Sequence, residues 1–214
     1  MKNFSAAIFD LDGTLIDSMY IWERIDKEFL YNFDIIPDKD YNKVISELSF
    51  FEGIEYIKNR YNLSLSKEQI IKELNNIAYR YYSEEITLKD GVYDFLDDLY
   101  YKNIKIGIAT SCMKNMCVTV LKKHNILKYI DTIVYSDDIK KNKSFPDIYI
   151  ETAKQLNTSI NNCIIFEDMP FAIMGAKKSG AFVVGVYDKY SSDKVEEIKL
   201  ICDKFIYKFC EFYI

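Results

Sequence analysis

The chain is expected to fold as an α/β protein: a doubly wound parallel sheet of Rossmann-like form with an inserted all-α helical domain. Three observations lead there. Short apolar, β-rich runs recur at 6–9, 104–109, 132–135, 163–166 and 182–186. Helical patterns at 92–101, 115–124, 146–156 and 171–179 alternate with them. Between the first run and the rest, only helical patterns occur.

Each element has its own reason. The β-rich runs are continuously apolar rather than alternating, as in parallel strands covered on both faces. Strand alternating with helix is the pattern of a doubly wound sheet, and such sheets carry their sites at the carboxyl ends of the strands. In the interrupting stretch, Ile21, Trp22, Ile25, Phe29 and Leu30 share one helical face. Further on, Ser66-Lys67-Glu68-Gln69 is a capping box ahead of Ile70, Ile71 and Leu74. The division that follows is a core of residues 1–16 and 87–214 and a helical domain of 17–86. Residues 205–214 are aromatic and apolar but far too short to span a membrane; a final strand and a docked tail are expected.

Composition narrows the function. The 214 residues are 49% hydrophobic, enough for one sizeable core or a core with an insert. A formal charge of -5 and the lack of a basic stripe argue against nucleic acid as a partner. Met1 to Ser5 run almost directly into the first strand, which leaves no room for a secretory signal, so a cytoplasmic protein is expected. The five cysteines have no zinc-like spacing and read as reduced thiols. The single histidine, His124, falls in a helical pattern with Val120, Leu121 and Leu127 and reads as structural. Acid–base chemistry is therefore left to carboxylates, Lys or Tyr. The polar composition and self-contained fold fit a monomer.

Four strand ends carry polar residues. The first supplies Asp10, Asp12 and Thr14, the second Thr110 and Ser111. The loop after the third leads to Lys143, and the fourth supplies Glu167 and Asp168. In a parallel sheet these ends lie along one edge. Clustered carboxylates raise one another's pKa, and burial adds to the cost. A divalent cation relieves both, and Mg²⁺ suits a few carboxylates, retained waters and a substrate phosphate. Strand-end aspartates also serve in turns and helix caps, but four in order at four strand ends favour a site.

Phe9-Asp-Leu-Asp-Gly-Thr-Leu-Ile-Asp17 resembles the first motif of the haloacid dehalogenase-like (HAD) superfamily. Ile108-Ala-Thr110-Ser111 is similar to its second motif, Lys143-Ser-Phe-Pro-Asp-Ile-Tyr149 to its third and Ile165-Phe-Glu167-Asp168 to its fourth. The resemblance covers nearly the whole chain and points to subfamily IA with a small helical (C1) cap. It implies Asp10 as a nucleophile that forms an aspartyl-phosphate, and Asp12 as the acid and base. It implies Thr110 and Lys143 on the transferring phosphoryl group, with Lys143 also holding Asp10. Mg²⁺ would be held by Asp10, the backbone carbonyl of Asp12 and Asp168, with Glu167 on metal-bound waters or just beyond them. Gly13, Thr14 and Ser111 would bind phosphate or substrate. The family's Gly-Lys-Pro is Asn142-Lys143-Ser144 here, and Met169 and Ala172 replace its Ser and Gly after Glu-Asp.

Asp12 points to phosphate chemistry, because a departing halide needs no acid and the dehalogenases lack this residue. The helical cap implies a small substrate, since a lid closes over it and expels water. β-Phosphoglucomutases share the cap, but the resemblance gives them a His about where Trp22 stands and commonly a Val at Thr14. Phosphonoacetaldehyde hydrolases use a cap lysine; Lys27 reads as solvated. Specificity is expected from Ser18, Met19, Tyr20, Trp22 and the stretch 47–53, where Phe50 and Phe51 could line a pocket or pack a core. Arg60 and Arg80 read as surface residues. The expected function is a Mg²⁺-dependent phosphatase acting on a small sugar or polyol phosphate, with a mutase-like transfer or a non-catalytic metabolite-binding role as alternatives.

Overall fold

The computed structural model describes residues 4–46, 48 and 50–213, with backbone only at 43 and 46. Glu47 and Ser49 of the stretch read for specificity lie outside the described residues. The chain divides into two compact units, Met1–Met19 with Ile86–Ile214, and Tyr20–Glu85.

The first unit is built on strands β1 (Ala6–Phe9), β4 (Lys105–Thr110), β5 (Thr132–Tyr135), β6 (Cys163–Glu167), β7 (Phe182–Val186) and β8 (Lys204–Ile206). They form one six-stranded sheet in the order β5-β4-β1-β6-β7-β8. Every neighbouring pair is parallel. The doubly wound sheet expected from the continuous apolar runs is thus present. All four residues of β1 are buried, as a central strand covered on both faces requires. Connections run outward in both directions from β1, which makes its carboxyl end the point where the winding reverses. Phe9 pairs in register with Ile108 on one side and Phe166 on the other. Asp10, Thr110, Glu167 and Asp168 consequently follow at the same sheet edge.

Helices α5 (Val92–Tyr101), α6 (Lys114–Lys123), α7 (Ser136–Ile139), α8 (Asp147–Gln155), α9 (Pro170–Lys178) and α10 (Val195–Ile201) complete the unit. Under one face of the sheet, Phe9 stacks on Phe166 with ring centroids 4.7 Å apart. Phe95 and Phe209 close around them. Burying each such ring contributes about 1.5–3 kcal/mol. The last residues form the expected strand, β8, and a turn that seats Phe209 in this cluster. On the other face, Ile8, Ile165, Tyr149 and Ile173 share one core. His124 contacts the Ile86 carbonyl at 2.8 Å, a structural use of the chain's one histidine.

Two short strands, β2 (Ile16–Asp17) and β3 (Thr87–Leu88), pair antiparallel where the chain leaves and re-enters this unit. Residues 17–19 and 86 group with the α/β unit, so the helical unit spans Tyr20–Glu85, against 17–86 read from the sequence.

The helical unit holds α1 (Ile21–Tyr31), α2 (Tyr41–Ser46), α3 (Phe50–Arg60) and α4 (Lys67–Glu84). The capping box at Ser66 and Gln69 is formed, with both reciprocal bonds present. Ile21, Ile25, Phe29 and Leu30 are buried on α1. Trp22, read on the same face, is instead 43% exposed and lines a cavity of about 110 Å³ inside this unit with Ile25, Asp26, Ile54, Ile57 and Leu74. Phe50 and Phe51 are exposed, not packed in the core. Arg60 pairs with Asp38, Arg80 with Glu28 and Lys27 with Glu23. Among the described residues, no helix is long and apolar enough to cross a membrane.

Candidate active site

Asp10 follows β1 directly and is nearly buried. Its Oδ1 accepts from the Lys143 ammonium. The same ammonium donates to Glu167 Oε1 at 2.5 Å. Lys143 therefore bridges two buried carboxylates from different strands. Burial opposes its charge, but the charges of Asp10 and Glu167 outweigh that and hold its pKa above the ordinary lysine value.

Glu167 is the most occupied member of the cluster. Oε1 also accepts from the Tyr149 hydroxyl at 2.9 Å, and Oε2 accepts from the Asp168 backbone N–H at 3.2 Å. Burial pushes its pKa up to about 7, with Lys143 pulling the other way. These contacts make Glu167 first a holder of Lys143. Tyr149 closes the stretch that resembles the third motif, Lys143 to Tyr149, but the resemblance gave it no role. Its hydroxyl also meets the Ala172 carbonyl at 3.2 Å.

Asp168 differs. It is 1% exposed, and its Oδ2 is buried without a hydrogen-bond partner. Oδ1 accepts from Thr14 Oγ1 at 3.4 Å. Burial, then the charges of Asp10 and Glu167, raise its pKa well above the carboxylate range. A carboxylate oxygen left this way calls for a cation. One oxygen each from Asp10, Glu167 and Asp168 lie within 4.8 Å of one another, a spacing that could hold a metal ion. The donor set is all hard oxygen, which fits a divalent cation of the Mg²⁺ kind.

Gly13 enables the close approach of the first loop to Asp168. Its φ is +84°, and a Cβ there would lie 2.3 Å from Asp168 Oδ2. Asp12, two residues from Asp10, stands outside this carboxylate cluster: its Oδ1 accepts from Ser18 Oγ at 2.7 Å. Ser18, read from sequence as part of the specificity hinge, is fully buried and holds Asp12. Thr110 is fully buried, and its Oγ1 accepts from Cys112 N–H at 2.9 Å. Ser111 is exposed and within 2.9 Å of Ser136 Oγ. Tyr20 and Trp22 belong to the helical unit, where Tyr20 lies 5.9 Å from the Arg24 guanidinium.

The departures from the family motifs have local explanations. Asn142 Oδ1 accepts from both Ser144 N–H and Ser144 Oγ, an Asx turn that shapes the Lys143 loop without proline. The Lys143 backbone also presses against α9: a Cβ at Gly175 would lie 1.9 Å from the Lys143 carbonyl oxygen. Ala172, one turn earlier, is buried. Met169 has no comparable structural account.

The arrangement offers a buried carboxylate held by a lysine, a second carboxylate bound by a serine, and an acidic group of Asp10, Glu167 and Asp168 suited to a cation. Residues 7–186 match the family model for haloacid dehalogenase-like hydrolases. A phosphorylated carbohydrates phosphatase of Thermotoga maritima is 26% identical over 175 residues, covering 82% of this chain and 81% of that one. A β-phosphoglucomutase of Bacillus subtilis is 30% identical over 190 residues, covering 85% and 82%. The crystal structure of a HAD hydrolase, family IA, variant 3, from Entamoeba histolytica superposes with a TM-score of 0.79 at 28% identity, covering 98% of this chain and 96% of that one. The motifs, the sheet that aligns them and these likenesses agree: the chain belongs to the haloacid dehalogenase-like hydrolase family.

Proposed function

We propose that the protein is a Mg²⁺-dependent phosphatase that hydrolyses a small sugar or polyol phosphate through an aspartyl-phosphate on Asp10. The contact of Lys143 with Asp10 beside the unpartnered oxygen of Asp168 carries this reading. The proposed residue roles follow from it.

The Asp10 carboxylate attacks phosphorus, the ester P–O bond breaks, and the Asp12 carboxyl gives its proton to the departing alkoxide. Asp12, now a carboxylate, takes a proton from water as that water attacks the phosphorus. The bond from phosphorus to Asp10 breaks and inorganic phosphate leaves. Splitting one difficult displacement into two is what a covalent carboxylate intermediate achieves. Lys143 holds Asp10 in place and supplies positive charge to the phosphoryl oxygens, and the Thr110 hydroxyl donates to them. Ser18 fixes the Asp12 carboxylate for both proton transfers. Mg²⁺, held by Asp10, Asp168 and the Asp12 carbonyl with Glu167 next to them, would neutralise charge on the transferring group. Gly13, Thr14 and Ser111 border the phosphate, and Tyr20 and Trp22 contribute to substrate choice from the helical unit, which serves as the cap. The proposal includes a cytoplasmic monomer acting on a small phosphorylated metabolite, with the net charge of -5 speaking against nucleic acid as a partner.

A mutase-like transfer is the second reading, favoured by the 30% identity to a protein named β-phosphoglucomutase. Against it, Trp22 stands where the resemblance places a histidine, and His124 is engaged with the Ile86 carbonyl. A non-catalytic binding role would leave Asp10, Asp12, Lys143 and Asp168 without a purpose.

The test is phosphate release from a panel of sugar, polyol and nucleoside monophosphates, with Mg²⁺ and with chelator. Mg²⁺-dependent release from a sugar or polyol phosphate is expected. Conversion of β-glucose 1-phosphate to glucose 6-phosphate without release would replace the phosphatase by the mutase. Release unaffected by chelator would overturn the cation's part.

A further inference from the structure

Lys89 follows β3 directly, and no motif includes it. Its backbone N–H donates to the Leu15 carbonyl at 3.0 Å. Its ammonium lies 2.8 Å from Asp188 Oδ2 and donates to the Tyr187 carbonyl at 2.7 Å. The side chains are 14% and 2% exposed, so this ion pair sits largely away from water. Asp188 follows closely on β7, and its other oxygen accepts from the Tyr190 N–H at 2.8 Å. The ordering cost of a long side chain is thus spent on two bonds to one rigid strand end.

What Lys89 connects gives the pair its meaning. Leu15 ends the loop that begins at Asp10. Inside that loop the amides of Thr14, Leu15 and Ile16 all converge on the Leu11 carbonyl, and Gly13 N–H returns to the Ile16 carbonyl. The loop is a small closed knot of hydrogen bonds that carries Asp10 and Asp12. Lys89 grips its far end by the backbone and reaches with its side chain to the end of β7. A cavity of about 340 Å³ lies along this span, lined in part by Asp17, Thr87 and Tyr207. The charges of Asp188 and Lys89 both act on Asp168, Asp188 raising its pKa and Lys89 lowering it.

We propose that Lys89 and Asp188 are positioning residues: a buried ionic strut that pins the end of the Asp10–Leu15 loop, and with it the nucleophile and the acid, to the carboxyl end of β7. The inference rests on the phosphoryl-transfer reading for its effect on rate, but not for its structural content. Neither residue touches substrate. A misplacement of reacting groups by a fraction of an ångström is costly in rate, while substrate affinity depends on other contacts.

The experiment measures amide hydrogen exchange and kinetics in the full chain with Lys89→Met. Exchange at Gly13, Thr14, Leu15 and Ile16 is expected to speed up about tenfold, with the amides of Ile164 to Phe166 in β6 unchanged. On the best ester of the panel, kcat is expected to fall about tenfold with KM within about twofold. Unchanged protection at 13–16, or a loss shared equally by β6, would overturn the strut. So would a rise in KM at constant kcat. Should Lys89→Met fail to fold, Asp188→Asn removes the charge while keeping an oxygen for the Tyr190 N–H, and carries the same expectations. Should the parent hydrolyse no ester, the phosphatase reading fails and the exchange measurement still decides the strut.

Discussion

Both units of this protein carry exposed ion pairs, but they differ in the charge they bury. In the α/β unit, Asp10, Lys143, Glu167 and Asp168 are all nearly or fully buried; Lys143 compensates Asp10 and Glu167, and Asp168 is left among like charges. In the helical unit, the ion pairs Arg24–Glu85, Arg60–Asp38 and Arg80–Glu28 are substantially solvent-exposed. Exposed pairs are worth little to stability, whereas removing one member of a buried pair leaves an uncompensated charge. The difference teaches where function sits. Buried charge with an unpartnered oxygen is expensive, and a fold tolerates it where chemistry needs it.

The largest expected effect tests the α/β side of that contrast. Asp10→Asn is expected to lower kcat by about 10⁴-fold or more, because the proposed nucleophile is removed. Circular dichroism should remain that of the folded parent. Normal turnover in this variant would sink the mechanism.

Next is Asp168→Ala. Added Mg²⁺ is expected to raise the melting temperature of the parent, as any ligand that binds only the folded state does. The variant should lose that rise. An equal rise in both would move the cation away from Asp168.

Ser18→Ala comes third. Asp12 would lose its 2.7 Å donor. A fall in kcat of about ten- to a hundredfold is expected, since the hydrogen bond to a charged group is worth about 1.5–3 kcal/mol. The effect should disappear in an Asp12→Asn background, which double-mutant kinetics would reveal.

The last effect, on stability rather than rate, belongs to the helical unit, where a half-buried carboxylate stands apart from the exposed ion pairs. Burial pushes Asp26 up to about 6 from its ordinary 3.8, against the pull of the Tyr41 hydroxyl. A carboxyl whose folded pKa is raised adds stability below its unfolded pKa and loses it as pH rises through the folded value. Stability is thus expected to decline between about pH 4 and pH 6 by up to about 3 kcal/mol from this group. Asp26→Asn should flatten that part of the profile and melt higher than the parent at pH 7. Identical profiles would show that Asp26 titrates normally.

Much of this was legible in the sequence, for a physical reason. Strands covered on both faces must be continuously apolar, so Ala6–Phe9 and Cys163–Glu167 announced themselves, and so did the charged residues at their ends. The expected alignment of Asp10, Glu167 and Asp168 follows from register and appears in the sheet. Less legible were partners set by packing rather than pattern. Tyr149 is one of many tyrosines until α8 brings its hydroxyl to Glu167. Ser18 looked like a hinge residue until the loop turned it onto Asp12. Lys89 and Asp188 are far apart in the chain and ordinary by type. Trp22 was assigned to a buried face because helical spacing alone cannot tell the rim of a face from its centre.

The most direct measurement of the central claim is to quench the enzyme in acid during turnover and map phosphoryl groups by mass spectrometry. The expected result is a phosphoryl group on the peptide that contains Asp10, absent in Asp10→Asn and absent when chelator replaces Mg²⁺. Turnover with no phosphorylated Asp10 peptide at any quench time, or a phosphoryl group on another residue, would contradict the assignment of this strand end as the nucleophile.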